Sequence, residues 1–164
     1  MNNLKVTTEK VVATEVASLM VPLDSKTLLI PTVTVAEIVP YVAPQKVADA
    51  PAWYMGDINW REQQVPLLCM EALDGGQQPS YSSACRIAVL NNTGVDDNLP
   101  FLAIATQGIP RLSRVKPDEV HQLTDTKLGR YDLMAVSHAG DALVIPDVSS
   151  LEQTYIDYRN GITS

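Results

Sequence analysis

The sequence contains few of the residues on which metal, disulfide and thiol chemistry depend. Its 164 residues include two cysteines, Cys69 and Cys85, and two histidines, His121 and His138. Because the cysteines form no Cys-x-x-Cys pair, they indicate neither a disulfide framework nor a zinc site. We therefore interpret both thiols as free and expect the protein to bind no metal and no cofactor.

Positive charge is scarce as well. Lysine and arginine together number 12, against 19 aspartates and glutamates, so the formal net charge is −7. A protein that binds a nucleic acid neutralises phosphates with lysine and arginine clustered on one face. This composition predicts that no nucleic acid is a partner.

Long apolar runs are absent too. No stretch approaches the roughly 20 consecutive apolar residues that a membrane-spanning helix needs. The first ten residues, MNNLKVTTEK, lack the apolar centre of a signal peptide. The sequence predicts a cytoplasmic protein without direct membrane insertion.

The chain does contain enough apolar material for a core. Apolar residues make up 46% of the sequence, and this fraction suits one compact domain at this length. We place the domain at residues 15–155, after a flexible N-terminal segment at residues 1–14.

Short β-strands dominate the predicted secondary structure of the first half. Apolar runs bounded by turn residues predict strands at 16–23, 27–31, 33–39, 53–60 and 65–70. Asp-Ser-Lys between the first two runs predicts a hairpin. The third run alternates until Glu37 and Ile38 break the period, which predicts a strand with a bulge or one helical turn. Together these strands make a first lobe at 15–71.

The second half repeats this pattern after a solvated linker at 72–84, which is rich in Gly, Gln, Pro and Ser. Strands are predicted at 86–90, 101–106, 109–115, 133–137 and 142–148. The last two are joined by His-Ala-Gly-Asp, a hairpin signal because glycine can take a positive φ. We interpret residues 117–125 as polar loop and expect a second lobe at 85–150.

Only the C-terminal end has a helical pattern. Leu151, Tyr155 and Tyr158 recur at helical spacing, and Ser149 with Glu152 matches a capping box. We expect a short helix at 149–160 that packs onto a lobe. The many short strands before it favour small β-barrels.

The residues show no complete catalytic arrangement. Either cysteine could pair with either histidine as nucleophile and base, but no third residue is placed to orient the base. A small thiol hydrolase built on Cys85 with His121 or His138 is therefore kept only as an alternative function.

Trp60 and Arg61, at the end of a predicted strand, belong to the residue types that dominate interface hot spots. Both could instead be structural, with Trp60 capping a barrel end and Arg61 donating hydrogen bonds to loop carbonyls. The residue types alone leave both interpretations open.

The order of motifs along the chain resembles that of the CheW-like domains of bacterial chemotaxis coupling proteins. The chain reads SLMVPLDSKTLLIP, then VAEIV, then DAPAWYMGDINWRE and VPLLCM, as the family pattern does. The residues that stand where this pattern has them are Pro51, Gly56, Asn59, Arg61 and Pro66.

The sequence also departs from the family pattern. Glu62 and Ala135 replace expected glycines, and Cys69 replaces an expected aspartate. The second half of the chain matches less well than the first, and these departures bear on its partner contacts more than on its fold.

The resemblance implies a mainly β fold of two small five-stranded SH3-like barrels, with a hydrophobic groove between them and a short C-terminal helix. It implies a non-catalytic adaptor and no enzyme. The groove would receive the hairpin tip of a methyl-accepting chemoreceptor, and a barrel end would dock the regulatory domain of a sensor histidine kinase. Such a protein would lie at the inner face of the membrane through receptor arrays.

The resemblance and the residue types together give the partner-binding residues as Val35, Glu37, Ile38, Asn59, Trp60 and Arg61. Gly56 is interpreted as a structural turn residue. The divergent second half favours a coupler specialised for pilus-driven twitching motility over a general flagellar one. A regulatory domain that inhibits the kinase without receptor contact is the alternative.

Overall fold

The computed structural model describes residues 15–162, and the predicted flexible segment at 1–14 lies outside the described residues. The strands are β1 Val16–Pro22, β2 Thr27–Pro31, β3 Val35–Pro40, β4 Tyr54–Trp60, β5 Gln63–Leu68, β6 Arg86–Asn91, β7 Phe101–Ala105, β8 Arg111–Val115, β9 Val120–Gln122, β10 Asp132–His138 and β11 Asp141–Pro146. The helices are α1 Met70–Leu73 and α2 Val148–Arg159, and single turns of 3-10 helix lie at Thr32–Thr34 and Pro117–Glu119.

The strands form two sheets. One has six strands in the order β8-β1-β2-β11-β10-β9, and the other has five in the order β3-β6-β7-β5-β4. The predicted mainly β fold with a C-terminal helix is confirmed. The predicted turn or bulge near residues 33–39 takes both forms, because a 3-10 turn precedes β3 and the register of β3 against β6 shifts between Val35 and Glu37.

Each sheet takes strands from both halves of the chain. β2 lies parallel to β11, and β5 lies parallel to β7. The predicted lobes at 15–71 and 85–150 therefore do not correspond to the two sheets. Parallel pairs join strands that are distant in sequence, so no short turn motif in the sequence predicts them.

The sixth strand of the larger sheet, β9, lies in a segment that the sequence predicted as polar loop. It pairs antiparallel with β10, from Val120 opposite His138 to Gln122 opposite Val136. Because His121 and Gln122 are exposed, the composition of this edge strand does not differ from that of a loop.

The apolar side chains form three clusters, one between the two sheets and one on each sheet. One cluster joins both sheets and α2, through residues such as Leu28, Leu90 and Leu151. The others lie within the five-stranded sheet and the six-stranded sheet, around Val89 and Val136 respectively. Two inner strands of the five-stranded sheet, β6 and β7, are buried on both faces, which explains why β6 reads IAVL without polar alternation.

The C-terminal helix begins differently from its sequence prediction. Its N-cap is Asp147, whose carboxylate accepts hydrogen bonds from the Ser150 amide at 3.3 Å and the Ser149 hydroxyl at 2.8 Å. The predicted capping box of Ser149 with Glu152 is therefore wrong. Glu152 is instead buried and accepts a hydrogen bond from the Thr93 amide at 2.7 Å, which fastens α2 to the loop between β6 and β7.

Candidate functional site

The two edge strands of the five-stranded sheet, β3 and β4, are brought together because the sheet curls into a barrel. The chain that leaves β3 pairs with β4, and the Gln45 and Asp57 amides donate to each other's carbonyls at 2.8 Å and 3.0 Å. This bridge closes the barrel on the side where the strand order leaves an edge.

Gly56 is the residue that permits this closure. Its φ is +124°, and a Cβ at this position would lie 2.2 Å from the Gln45 carbonyl oxygen. Only glycine combines this backbone conformation with so close an approach. Gly56 lies within β4, next to the register shift against β5, and not in the turn that follows.

The turn between β4 and β5 is shorter than the interval 61–64 that separates the predicted strands at 53–60 and 65–70. Trp60 pairs with Gln63, so Arg61 and Glu62 alone form the loop. Both have positive φ, at 47° and 63°, which is the two-residue hairpin conformation that favours Asn-Gly. The Arg61 side chain is thereby held at the end of the barrel, where it is 66% exposed.

Three of the predicted partner-binding residues meet at this end of the barrel. The Trp60 indole N–H donates to the Glu37 carboxylate at 3.4 Å, and the Arg61 guanidinium lies 3.6 Å from the same carboxylate. The guanidinium carbon also lies 4.7 Å from the centroid of the Trp60 ring. This Glu37-Trp60-Arg61 cluster joins β3 to the β4–β5 turn through a shared carboxylate and a cation–π contact.

Trp60 is the buried member of the cluster. Its residue surface is 7% exposed, and its ring contacts that of Phe101 edge-on at 4.7 Å between centroids. The residue closes the end of the core in the five-stranded sheet. The geometry therefore places Trp60 as a support for the surface and leaves Arg61 as the exposed group.

The bulge in β3 determines where its side chains point. Val35 and Ile38 both pack against the core shared by the two sheets, whereas Ala36 and Val39 pack against the core of the five-stranded sheet. A regular strand would place residues 35 and 38 on opposite faces. Both residues are thus half-buried, while Glu37 reaches the turn cluster.

Asn59 and Val33 are the more exposed neighbours of this region. Asn59 is exposed on β4, opposite Gln64. Val33, in the 3-10 turn before β3, is 84% exposed, and its carbonyl accepts a hydrogen bond from the Asn91 side chain at 3.1 Å. In the sequence Val33 is simply the first residue of the apolar run at 33–39, and the broken period later in that run was the available signal that its start is irregular.

Val33 and Arg61 lie at the same end of the five-stranded barrel. β3 starts there, opposite the end of β6 at Leu90, and Asn91 pairs with the start of β7 at Phe101. β4 ends and β5 begins at this same end, beside the Trp60–Phe101 contact. One barrel end therefore presents an exposed apolar residue and an exposed cation.

The cysteines and histidines are not brought together. Cys69 and Cys85 are buried and belong to or border the five-stranded sheet, whereas His121 and His138 lie on β9 and β10 of the six-stranded sheet. His138 lies 3.7 Å from the Glu119 carboxylate. Burial raises the pKa of the Cys69 thiol, which opposes the thiolate form that a nucleophile requires.

No helix within residues 15–162 has the length and apolar character needed to cross a membrane.

Comparison with known proteins gives one family and one fold. The family model described as the CheW-like domain matches residues 17–154 of the chain. The fold is similar to the crystal structure of the scaffolding protein TtCheW from Thermoanaerobacter tengcongensis, with a TM-score of 0.69 and 13% sequence identity over 80% of this chain and 88% of that one. Among curated proteins, no significant match was found.

Proposed function

The chain belongs to the CheW-like domain family, and from this premise we propose that it is a non-catalytic scaffold that couples a methyl-accepting chemoreceptor to a sensor histidine kinase. The observation that carries the proposal is the barrel end at which Val33 and Arg61 are both exposed. A coupler needs two surfaces that can be occupied at once, and this end offers two of different chemistry.

The apolar surface is the one that we assign to the receptor. Val33 is exposed beside β1, and Val35, next along the chain after Thr34, packs into the core between the two sheets. An apolar side chain of a partner helix can cover Val33 without moving that core. Val35 and Ile38 then contribute indirectly, because their packing in the core holds the 3-10 turn that exposes Val33 in place.

The charged surface is the one that we assign to the kinase. Arg61 keeps its donors near solvent, since its contact with Glu37 is long and its side chain is largely exposed. A planar guanidinium with free donors can donate two parallel hydrogen bonds to a carboxylate of a partner. Asn59, exposed on the strand that leads to Arg61, extends this polar surface.

The kinase and receptor contacts can both be weak in such a device. Many modest contacts in an array raise the effective concentration of each partner, so the assembly is stable while each link stays adjustable. The scaffold alters kinase activity only through differential contact with two states of its partners. We place the protein, on this proposal, at the cytoplasmic ends of membrane receptors.

The test is capture of partners from a lysate by purified protein and its variants. We expect the wild type to retain a chemoreceptor and a histidine kinase, and Val33→Lys to lose the receptor and keep the kinase. Val33 suits this test better than Val35, because a lysine at half-buried Val35 would also disturb the core. Val47→Lys is the matched control, since Val47 is 39% exposed and lies between β3 and β4, toward the opposite end of the barrel.

Each outcome of this capture decides between functions. Kinase without receptor in the wild type would favour a domain that inhibits the kinase directly. Recovery of neither partner would contradict the coupler. A recovered receptor also identifies the pathway, because we propose a pilus-motility system and a receptor of a flagellar system would overturn that assignment.

A further inference from the structure

The edge strand β8 combines an unpaired edge with a local charge opposite to that of the protein. It lies at the end of its sheet and pairs with β1, and no other strand within residues 15–162 pairs with it. Such an edge presents a row of backbone N–H and C=O groups that can pair with another extended chain. Pro110 and Pro117 bound the free stretch on either side.

The charge of this stretch is positive. Residues 107–117 read QGIPRLSRVKP, with three basic residues and no acidic one, in a chain whose net charge is −7. The three basic side chains, Arg111, Arg114 and Lys116, are exposed. The Arg114 side chain is 75% exposed, with the Glu15 carboxylate 3.8 Å away, a weak pairing at that distance.

Alternate side chains of β8 lie on one face, where they can contact the side chains of an added strand. Leu112 and Arg114 share one face of β8, and Lys116 continues it because its backbone is extended as well. Leu112 is 63% exposed although it is apolar. This face therefore offers, in order, an apolar position and two cationic positions.

We propose that β8 is a docking edge for an extended segment of a partner protein, added as a further strand and carrying acidic side chains at alternate positions. Its side chains would be apolar opposite Leu112 and acidic opposite Arg114 and Lys116. Cross-strand pairs of opposite charge stabilise such an addition, and backbone pairing supplies the rest of the affinity. This inference is independent of the receptor and kinase assignments above.

The same observations disfavour a second copy of this chain as the occupant. Antiparallel pairing of β8 with a second copy would collect the three basic side chains of each strand along one strand pair without an acidic partner from either, and like charges close together across a strand pair are destabilising. The overall negative charge of the protein does not prevent an acidic segment from docking. Beyond a Debye length of about 8 Å at physiological salt, the other charges are largely screened.

The test uses two synthetic acetylated hexapeptides, Val-Thr-Glu-Thr-Glu-Thr and its reverse, because a strand can add in either direction. Each is titrated into isotope-labelled protein while the amide chemical shifts are followed. We expect saturable shifts confined to β8 and β1. Peptides with lysine in place of glutamate should give none.

The charge assignment is tested by reversal. Arg114→Glu with Lys116→Glu should weaken binding of the acidic peptide by roughly tenfold or more, because repulsion replaces attraction at two positions, and this variant should bind the lysine peptide instead. The control is Lys46→Glu with Lys127→Glu, which changes the net charge equally at two exposed sites away from β8.

Absence of shifts at β8 in the wild type, or equal weakening by the control, would overturn the proposal. The basic side chains would then serve only to keep other strands away from the edge, as charged residues on edge strands do.

Discussion

Two hairpins of this protein have loops of the same length and similar backbone conformation but different residues at the second loop position. The β4–β5 hairpin turns through Arg61 and Glu62, with φ of 47° and 63°, and the β10–β11 hairpin turns through Ala139 and Gly140, with φ of 51° and 85°. Glycine adopts a positive φ without strain, whereas another residue costs roughly 1–2 kcal/mol there. The β4–β5 turn therefore keeps strain that a single glycine would relieve.

The strained hairpin is also the one at the barrel end that we propose as the partner surface. Backbone strain of this kind persists where the surrounding structure holds it, and it concentrates at functional positions. Here the surrounding structure is the Glu37-Trp60-Arg61 cluster on one side and the Gly56 closure on the other. The β10–β11 turn has neither constraint, since a Cβ on Gly140 would meet open space.

The largest expected loss of stability is that of Gly56→Ala in the β4–β5 hairpin, compared with the same change at Gly140 in the β10–β11 hairpin. Gly56→Ala should destabilise the protein by about 3 kcal/mol or more, because it adds backbone strain to a collision with the Gln45 carbonyl oxygen. Chemical denaturation of the variant measures this loss. A loss under about 1 kcal/mol would mean that the barrel closure adjusts freely, contrary to the packed geometry.

Gly140→Ala should have a smaller effect, of about 1 kcal/mol, in the same assay. Only the backbone conformation opposes the new methyl group, since no atom lies within 4 Å of its position. A loss as large as that of Gly56→Ala would show that the two turns are constrained alike and would remove the contrast between them.

Glu62→Gly should act in the opposite direction and stabilise the protein by about 0.5–1 kcal/mol. Glycine removes the strain of the positive φ in the folded state, and the greater conformational entropy of glycine in the unfolded state offsets part of this gain. Glu62→Ala is the control: it removes the charge but keeps the Cβ, so thermal or chemical unfolding should show no comparable gain. Equal gains in both variants would assign the effect to charge. If partner capture weakens in Glu62→Gly while stability rises, the strained turn itself serves binding.

The smallest effect on stability is expected for Arg61→Ala, which should cost about 0.5 kcal/mol or less. The exposed ion pair with Glu37 and the cation–π contact with Trp60 are each worth little at the surface. Kinase capture should nevertheless be lost. A loss of stability well above this range with capture intact would make Arg61 a structural residue and contradict its assignment to the kinase surface.

Sequence reasoning predicted the local parts of this fold well. The hairpins β1–β2, β4–β5 and β10–β11 are pairs of apolar runs separated by short polar turns, so a few adjacent residues specify each. The irregular period at Glu37 and Ile38 likewise predicted the bulge that turns Val35 and Ile38 toward the same core. The helix was expected, but its cap was misplaced because Asp147 and Ser149 are both good capping residues and lie two positions apart.

The candidate site was predicted in part. The proposed roles of its residues remain predictions, but the sequence named Glu37, Trp60 and Arg61, and these three side chains meet in space. It missed exposed Val33, because an apolar residue in an apolar run is assigned by default to a strand. It also could not choose between a supporting and an exposed role for Trp60, since that depends on Phe101, which comes from the other half of the chain.

The amino-acid sequence by itself determined the elements: short strands, their tight turns, one terminal helix, and an acidic chain with a basic stretch at 107–117. These depend on residues close together in the chain, through dihedral preferences and the period of apolar residues. The tertiary structure alone decided which strands share a sheet, that β8 is an edge, and that β3 meets the β4–β5 turn. Those features depend on parallel pairs and barrel closure between distant residues, whose contacts stabilise the fold only after the whole chain has been brought together.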